Sequence, residues 1–120
     1  MTQARQSLGQ RGEELAARAL EQRGYTILAR NYRTPVGELD IVARDRQHLL
    51  FVEVKTRRTA AFGVPAEAVG AHKQRQILRA AQWYLANARY PDLQPRFDVI
   101  AVLVDRDEPV ITHIPNAFGL

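Results

Sequence analysis

The sequence predicts an α/β domain, a mixed central β-sheet flanked by helices, with elements in the order αβββαββ. Three patterns carry this. Two stretches, around residues 8–20 and 72–88, repeat apolar residues at three- and four-residue spacing, the period of a helix. Five shorter stretches dense in Val, Ile, Leu, Phe and Tyr, bounded by turn residues, read as strands. After the second helix, Val99 to Val104 is continuously apolar, as a strand buried on both faces is. A right-handed crossover would set it parallel to the strand that precedes that helix.

Residues 1–6 are polar and expected to be disordered, leaving one domain over residues 7–120. Ser7 is placed to cap the first helix and Gly24 to close it at the C′ position. Leu8, Leu15, Ala16, Ala19 and Leu20 form its apolar stripe. At ~100° per residue Glu13 falls on the flank of that stripe and Glu14 points away. Glu13 is thus an amphipathic boundary residue, and also the glutamate that a site on the sheet would recruit from this helix.

Tyr25 to Arg33 reads as the first strand and Thr34-Pro35-Val36-Gly37 as a turn. Gly37 to Val42 and Leu49 to Lys55 follow, joined by a polar turn at Asp45-Arg46-Gln47 and therefore antiparallel neighbours. Thr56 to Gly63 is a loop in which Arg57 and Arg58 are either solvated charge or phosphate contacts. Pro65 can open a short helical turn through Val69. His72 to Ala88 is the second helix, with Gln74, Ile77, Leu78, Ala81, Tyr84, Leu85 and Ala88 on its stripe. Lys73 near its start is either a solvated end residue or a phosphate contact. Trp83 falls roughly opposite the stripe, packed under a loop or marking a dimer or nucleic-acid contact. Arg96 to Val104 is the buried strand, Asp105 to Pro109 a turn, and Val110 to Ile114 an edge strand that Pro115 is expected to end.

Composition narrows the chemistry. With no Cys, disulfides and thiolate chemistry are excluded, and Ser7, the only Ser, is poorly placed for a nucleophile. His48, His72 and His113 show no metal-ligand spacing. No apolar run is long enough to span a membrane and no signal core opens the chain, so a cytoplasmic protein is expected. A net charge of +4 and a pI near 10.0 favour an anionic partner such as nucleic acid. Fifteen Arg stand against two Lys, which makes Lys55 less interchangeable with other surface cations.

Glu38 and Asp40 on one strand, and Glu53 and Lys55 on the next, place charge in otherwise apolar segments. Residues two apart share a strand face, so Glu53 and Lys55 sit together with Phe51, opposite to Val52 and Val54. Buried charges are normally paired or bind metal. An ion pair of Lys55 with Asp40 or Glu53, or a wet sheet face, is the plain explanation. Alternatively, two carboxylates on adjacent strands suit Mg²⁺ or Mn²⁺, which polarises a phosphoryl oxygen and acidifies bound water, with Lys55 beside that water. That would be a phosphodiester hydrolase site.

Gly12-Glu13, Asn31-Tyr32-Arg33, Gly37-Glu38-Leu39-Asp40, Phe51-Val52-Glu53-Val54-Lys55-Thr56-Arg57, Phe62-Gly63, Lys73 and Arg96-Phe97-Asp98 occur in that order. Together, from about Gly9 to Val104, they resemble the YraN family of small bacterial proteins. That family is assigned by similarity to the PD-(D/E)xK, restriction-endonuclease-like nucleases, with archaeal Holliday junction resolvases as relatives. The resemblance implies a restriction-endonuclease-like fold, with Asp40 and Glu53 as metal ligands and Lys55 assisting the attacking water. It implies that Glu13 is the helix-borne acid of the site. The Pro-Asp of the superfamily name is absent, Leu39 preceding Asp40 as is usual in the YraN group. Resolvases act on four-way junctions as homodimers, so a homodimer is the implied assembly.

The combined reading is a metal-dependent nuclease acting on structured or damaged DNA, with Arg57, Arg58 and Lys73 on phosphate and Glu38 supporting the site from behind Asp40. Two rivals stand beside it: a non-catalytic nucleic-acid-binding module, and a structural or partner-docking protein whose charged cluster is a core ion-pair network.

Overall fold

The computed structural model describes residues 2–58, 69–104 and 108–119, with side chains from Leu8 onward. Its elements are α1 (Thr2–Gln22), β1 (Thr26–Thr34), β2 (Gly37–Arg44), β3 (His48–Arg57), α2 (Ala71–Asn87), β4 (Gln94–Leu103) and β5 (Val110–Phe118). This is the αβββαββ order that the sequence predicts. The strands form one five-stranded sheet in the order β1-β2-β3-β4-β5. β3 and β4 pair in parallel and all other neighbours antiparallel, so the sheet is mixed. The parallel pair is the one that α2 connects, since parallel neighbours need a crossover long enough to carry a helix.

Each helix covers one face of the sheet. Ala16, Ala17 and Leu20 of α1 pack against Ile41, Ala43, Leu50, Val52, Ile100 and Val102. On the other face, Ile77, Ala80, Ala81 and Tyr84 of α2 meet Leu39, Val42, Leu49, Phe51, Phe97 and Val99. Residues 49–52 alternate between the two layers, which is why β3 reads as apolar without a break. Each large apolar side chain buried here contributes roughly 1.5–3 kcal/mol. Small residues line α1, and at Gly12 a Cβ would overlap the Thr56 side chain. Glycine at this point lets α1 approach the end of β3 closely, and the next residue of the helix is Glu13.

Turn chemistry follows expectation. Tyr25 N–H donates to the Leu20 carbonyl and Gly24 N–H to that of Glu21, both 3.0 Å, with Gly24 at φ +94°. Asp45 Oδ1 accepts the N–H groups of Gln47 at 2.8 Å and His48 at 2.6 Å, closing the β2–β3 turn.

β3 runs on to Arg57, into the loop expected from Thr56, and two boundaries differ by more. α1 begins at Thr2, so the disordered lead expected over residues 1–6 is helical from Thr2, and Ser7 lies inside the helix instead of capping it. Once a helix is nucleated each further residue adds a hydrogen bond, and Ala, Arg and Gln extend it at little cost. β5 does not stop at Pro115 but continues to Phe118. It is an edge strand, where a missing N–H is tolerated. A bulge lies there too, because the ladder jumps from Val99↔Ile114 to Phe97↔Phe118 and Asn116 takes φ +52°. The helical turn expected from Pro65 falls outside the described residues except at Val69, as does the Asp105 to Asp107 part of the last turn.

Candidate active site

The antiparallel ladder of β2 and β3 runs from Arg44↔Leu49 to Ile41↔Val52 and ends there. Continuing the register by one residue sets Asp40 opposite Glu53. In place of a ladder carbonyl, Asp40 Oδ2 accepts the Val54 N–H at 2.9 Å. The two strands part at a pair of carboxylates, and one of these takes over the hydrogen bond that the parting would leave unmade. Side-chain alternation is interrupted at the same place, for Leu39 packs in the α2 layer with Val42 while Ile41 packs in the α1 layer. On β1, Asn31 sits between the pairs Arg30↔Ile41 and Tyr32↔Leu39, opposite Asp40, and has φ +52°. A non-glycine residue in the left-handed region costs roughly 1–2 kcal/mol, so the distortion is held by its surroundings.

Glu53 is 4 % exposed. Burial pushes its carboxyl up, and a hydrogen bond and like charge from Asp40 push it further, to about 8. Lys73 and Lys55 oppose the shift without cancelling it. Lys73 Nζ stands 3.7 Å and Lys55 Nζ 3.9 Å from Glu53 Oε2. Both lysines of the sequence therefore converge on one carboxylate oxygen, one from the sheet and one from α2. The lysine from α2 is the less expected, because nothing local ties residue 73 to residue 53.

Glu13 reaches the same region from α1. Burial raises its pKa and the Asp40 charge adds to this, while Arg30 and an Asn31 side-chain hydrogen bond lower it. Its Oε1 is buried without a hydrogen-bond partner among the described residues. Glu38 is exposed and acts on Glu13 through its charge. The structure thus brings Asp40, Glu53, Lys55 and Lys73 together and sets Glu13 alongside. Among the described residues no group of three or more His, Asp or Glu side chains is close enough to form a metal cage. Arg57 is partly buried at the end of β3, and Arg58 is exposed just beyond it.

Sequence reasoning gave no role to a second polar cluster, on the α1 face. Asp98 is fully buried and is held by Arg96, whose Nε and Nη2 donate to its two oxygens at 2.9 and 2.8 Å. His113 Nε2 lies 2.7 Å from Asp98 Oδ2, and Asn116 N–H donates to Oδ1 at 3.0 Å. Arg96 also donates to the Tyr25 hydroxyl at 3.0 Å. Burial alone would raise the Asp98 carboxyl, but hydrogen bonds from His113, Arg96 and Asn116 outweigh it and hold the pKa below its ordinary range. Arg96 and Asp98, two apart on one strand, were the available signal; His113 and Asn116 join only across the β4–β5 ladder. Among the described residues no helix is long and apolar enough to cross a membrane.

Comparison with known proteins adds a family. The model of a family described as "Uncharacterised protein family UPF0102" matches residues 12–102. A UPF0102 protein of Syntrophotalea carbinolica is 64% identical over 120 residues, covering 100% of this chain and 98% of its own. One from Geobacter sulfurreducens is 55% identical, covering 94% and 89%. One from Caldanaerobacter subterraneus is 41% identical, covering 95% and 96%.

Proposed function

We propose that this chain, which belongs to the family UPF0102 (the YraN family), is a divalent-metal-dependent nuclease hydrolysing phosphodiesters in structured or damaged DNA. The reading includes a restriction-endonuclease-like fold. One observation carries it: Asp40 and Glu53 oppose each other where β2 and β3 part, and both lysines are drawn to Glu53.

The donor set fits a hard cation. Burial and the facing Asp40 carboxylate together raise the Glu53 pKa, and a buried Glu13 oxygen nearby lacks a hydrogen-bond partner among the described residues. Mg²⁺ and Mn²⁺ take oxygen ligands and often use only one or two protein carboxylates, leaving room for water and substrate phosphate. Asp40 and Glu53 would hold the ion, with Glu13 beside them. When bound, it would supply Lewis acidity to a phosphoryl oxygen and lower the pKa of water. Lys55 orients the attacking water and offsets charge that builds on the phosphate in the transition state. Lys73 and Arg58 neutralise substrate phosphates, and Arg57 flanks them. Asp40, fixed by the Val54 N–H, keeps its carboxylate aimed at the gap between the strands.

A purely structural ion-pair network fits less well. Lysine-to-Glu53 distances of 3.7 and 3.9 Å exceed hydrogen-bond length, and the lysine side chains are 42% and 34% exposed. The structural pair in this same protein, Arg96 with Asp98, closes to 2.8 Å around a fully buried carboxylate.

The test is incubation of purified protein with labelled single-stranded, duplex, flap and four-way DNAs in Mn²⁺, beside Lys55→Ala. Cleavage of one form by wild type alone is expected; equal cleavage by Lys55→Ala would remove the mechanism. The net charge of +4 favours a second reading, a binding module without turnover. DNA binding unchanged by EDTA or by Lys55→Ala, with every form left intact, would establish that reading instead.

A further inference from the structure

The flank of α2 that leads away from the candidate site is basic, ends in an aromatic pair and has a fixed floor. At ~100° per residue, Arg75, Gln76, Arg79 and Trp83 project from neighbouring positions of this helix, with Lys73 at the site end. Arg75, Gln76 and Arg79 are exposed, and Lys73 and Trp83 are partly exposed. α2 contains no acidic residue in its 17 positions. The β1–β2 hairpin closes along this flank, for a Cβ on Gly37 would come within 3.3 Å of the Gln76 carbonyl. Tyr32, beside the distorted Asn31, meets Trp83 with ring centroids 6.2 Å apart and planes tilted 50°. Trp83 is thus partly exposed, with the Tyr32 ring against it.

We propose that this flank, from Lys73 to Trp83, is a track for single-stranded nucleic acid, in which Arg75 and Arg79 contact phosphates and the Trp83 ring, braced by Tyr32, stacks on an unpaired base. Ten helical residues separate its ends, a rise of ~15 Å, which spans a few nucleotides of extended strand. Cationic side chains alternating with an aromatic platform are the arrangement by which single strands are held without regard to sequence. Duplex offers no open base face to a side chain at this position, so the track selects unpaired segments. Charge argues against an apolar protein partner, since α2 carries cations and no acidic residue of its own. The inference rests on the nucleic-acid reading of the adjoining site, and it makes the substrate a single strand or a junction with a single-stranded arm.

Trp83 is the only tryptophan in the chain, which provides a probe. In EDTA, where no cleavage is supported, the full chain is titrated with an oligothymidylate of about a dozen nucleotides, within the usual range of single-strand site sizes. Saturable quenching of Trp emission is expected, with a duplex of equal length giving none. By anisotropy of labelled oligothymidylate, Trp83→Ala and Arg79→Ala should each weaken binding by about tenfold or more, and Trp83→Phe by less. Arg79 is exposed, so its loss reports on binding apart from folding.

Quenching without cleavage of any DNA would sink the nuclease reading and keep the track; cleavage with unchanged Trp emission would do the reverse. Oligothymidylate that fails to bind, or binds Trp83→Ala as tightly as wild type, would overturn the proposal. So would a Trp83→Ala change whose only effect is to dissociate a dimer of the chain in gel filtration.

Discussion

Glu53→Gln in the metal-free protein is the perturbation that isolates the electrostatics of the site. The folded protein holds a proton on Glu53 to about pH 8, whereas the unfolded chain gives it up near the ordinary 4.5. Below the lower value both states are protonated and there is no difference between them. As pH rises through the window the unfolded chain is favoured, so wild-type stability falls, and the loss is complete above the folded pKa. Glutamine carries no charge and pays no such penalty. At ~1.4 kcal/mol per pKa unit, the advantage of Glu53→Gln grows by about 4 kcal/mol between pH 5 and pH 9. Unfolding entropy of a chain this size makes 1 kcal/mol equal to about 4 °C, so the gap in melting temperature should widen by ~15 °C. Interactions that Gln makes or loses with Asp40 and the lysines shift the gap by a constant and leave its slope. The assay is thermal unfolding in EDTA across that pH range, wild type beside variant. A gap that does not change with pH would mean that folding does not hold the Glu53 proton, and a variant less stable at pH 9 would point to a structural Glu53–lysine pair. Lys73→Ala, which removes a counter-charge, should extend the fall in stability to higher pH while leaving its onset unchanged.

Three further outcomes follow from the same geometry. Asp40→Asn should abolish Mg²⁺ heats in titration calorimetry while the fold persists, because the amide oxygen still accepts the Val54 N–H; unchanged heats would exclude Asp40 as a ligand. Asp98→Ala strands Arg96 and His113 and should destabilise by roughly 3–5 kcal/mol in denaturant melts near pH 7. Because the folded Asp98 pKa is depressed, that penalty is present above the ordinary 3.8 and should shrink as pH falls below it; a penalty of constant size would contradict the assignment. Gly12→Ala drives a methyl into the Thr56 side chain and should cost roughly 1–3 kcal/mol, with Thr56→Ala in the same chain recovering part of it. A neutral Gly12→Ala would mean that α1 need not lie so close to β3.

Much of the fold was legible because its signals are local. Helical and strand periods repeat within a few residues, so all seven elements and their order could be read. Gly24 and Asp45 announced their turns by chemistry that acts over three or four positions. Alternation put Glu53 and Lys55 on one face with Phe51 and Val52 and Val54 on the other, and β3 agrees, with Phe51 in the α2 layer and Val52 and Val54 in the α1 layer. Only the packed chain decided the rest. Alternation failed at Asp40, where the strands part and Asn31 takes a left-handed turn, since where the ladder breaks depends on how the strands pair. Pro115 looked like a stop because its missing N–H is a local fact, while its harmlessness on an edge strand is a fact of the sheet. Lys73 meets Glu53, and His113 and Asn116 meet Asp98, across separations that no periodic pattern records. Local periods wrote down the elements and the faces of their side chains. Which of those side chains share a site was settled by register and helix docking, because those depend on contacts between residues far apart in the chain.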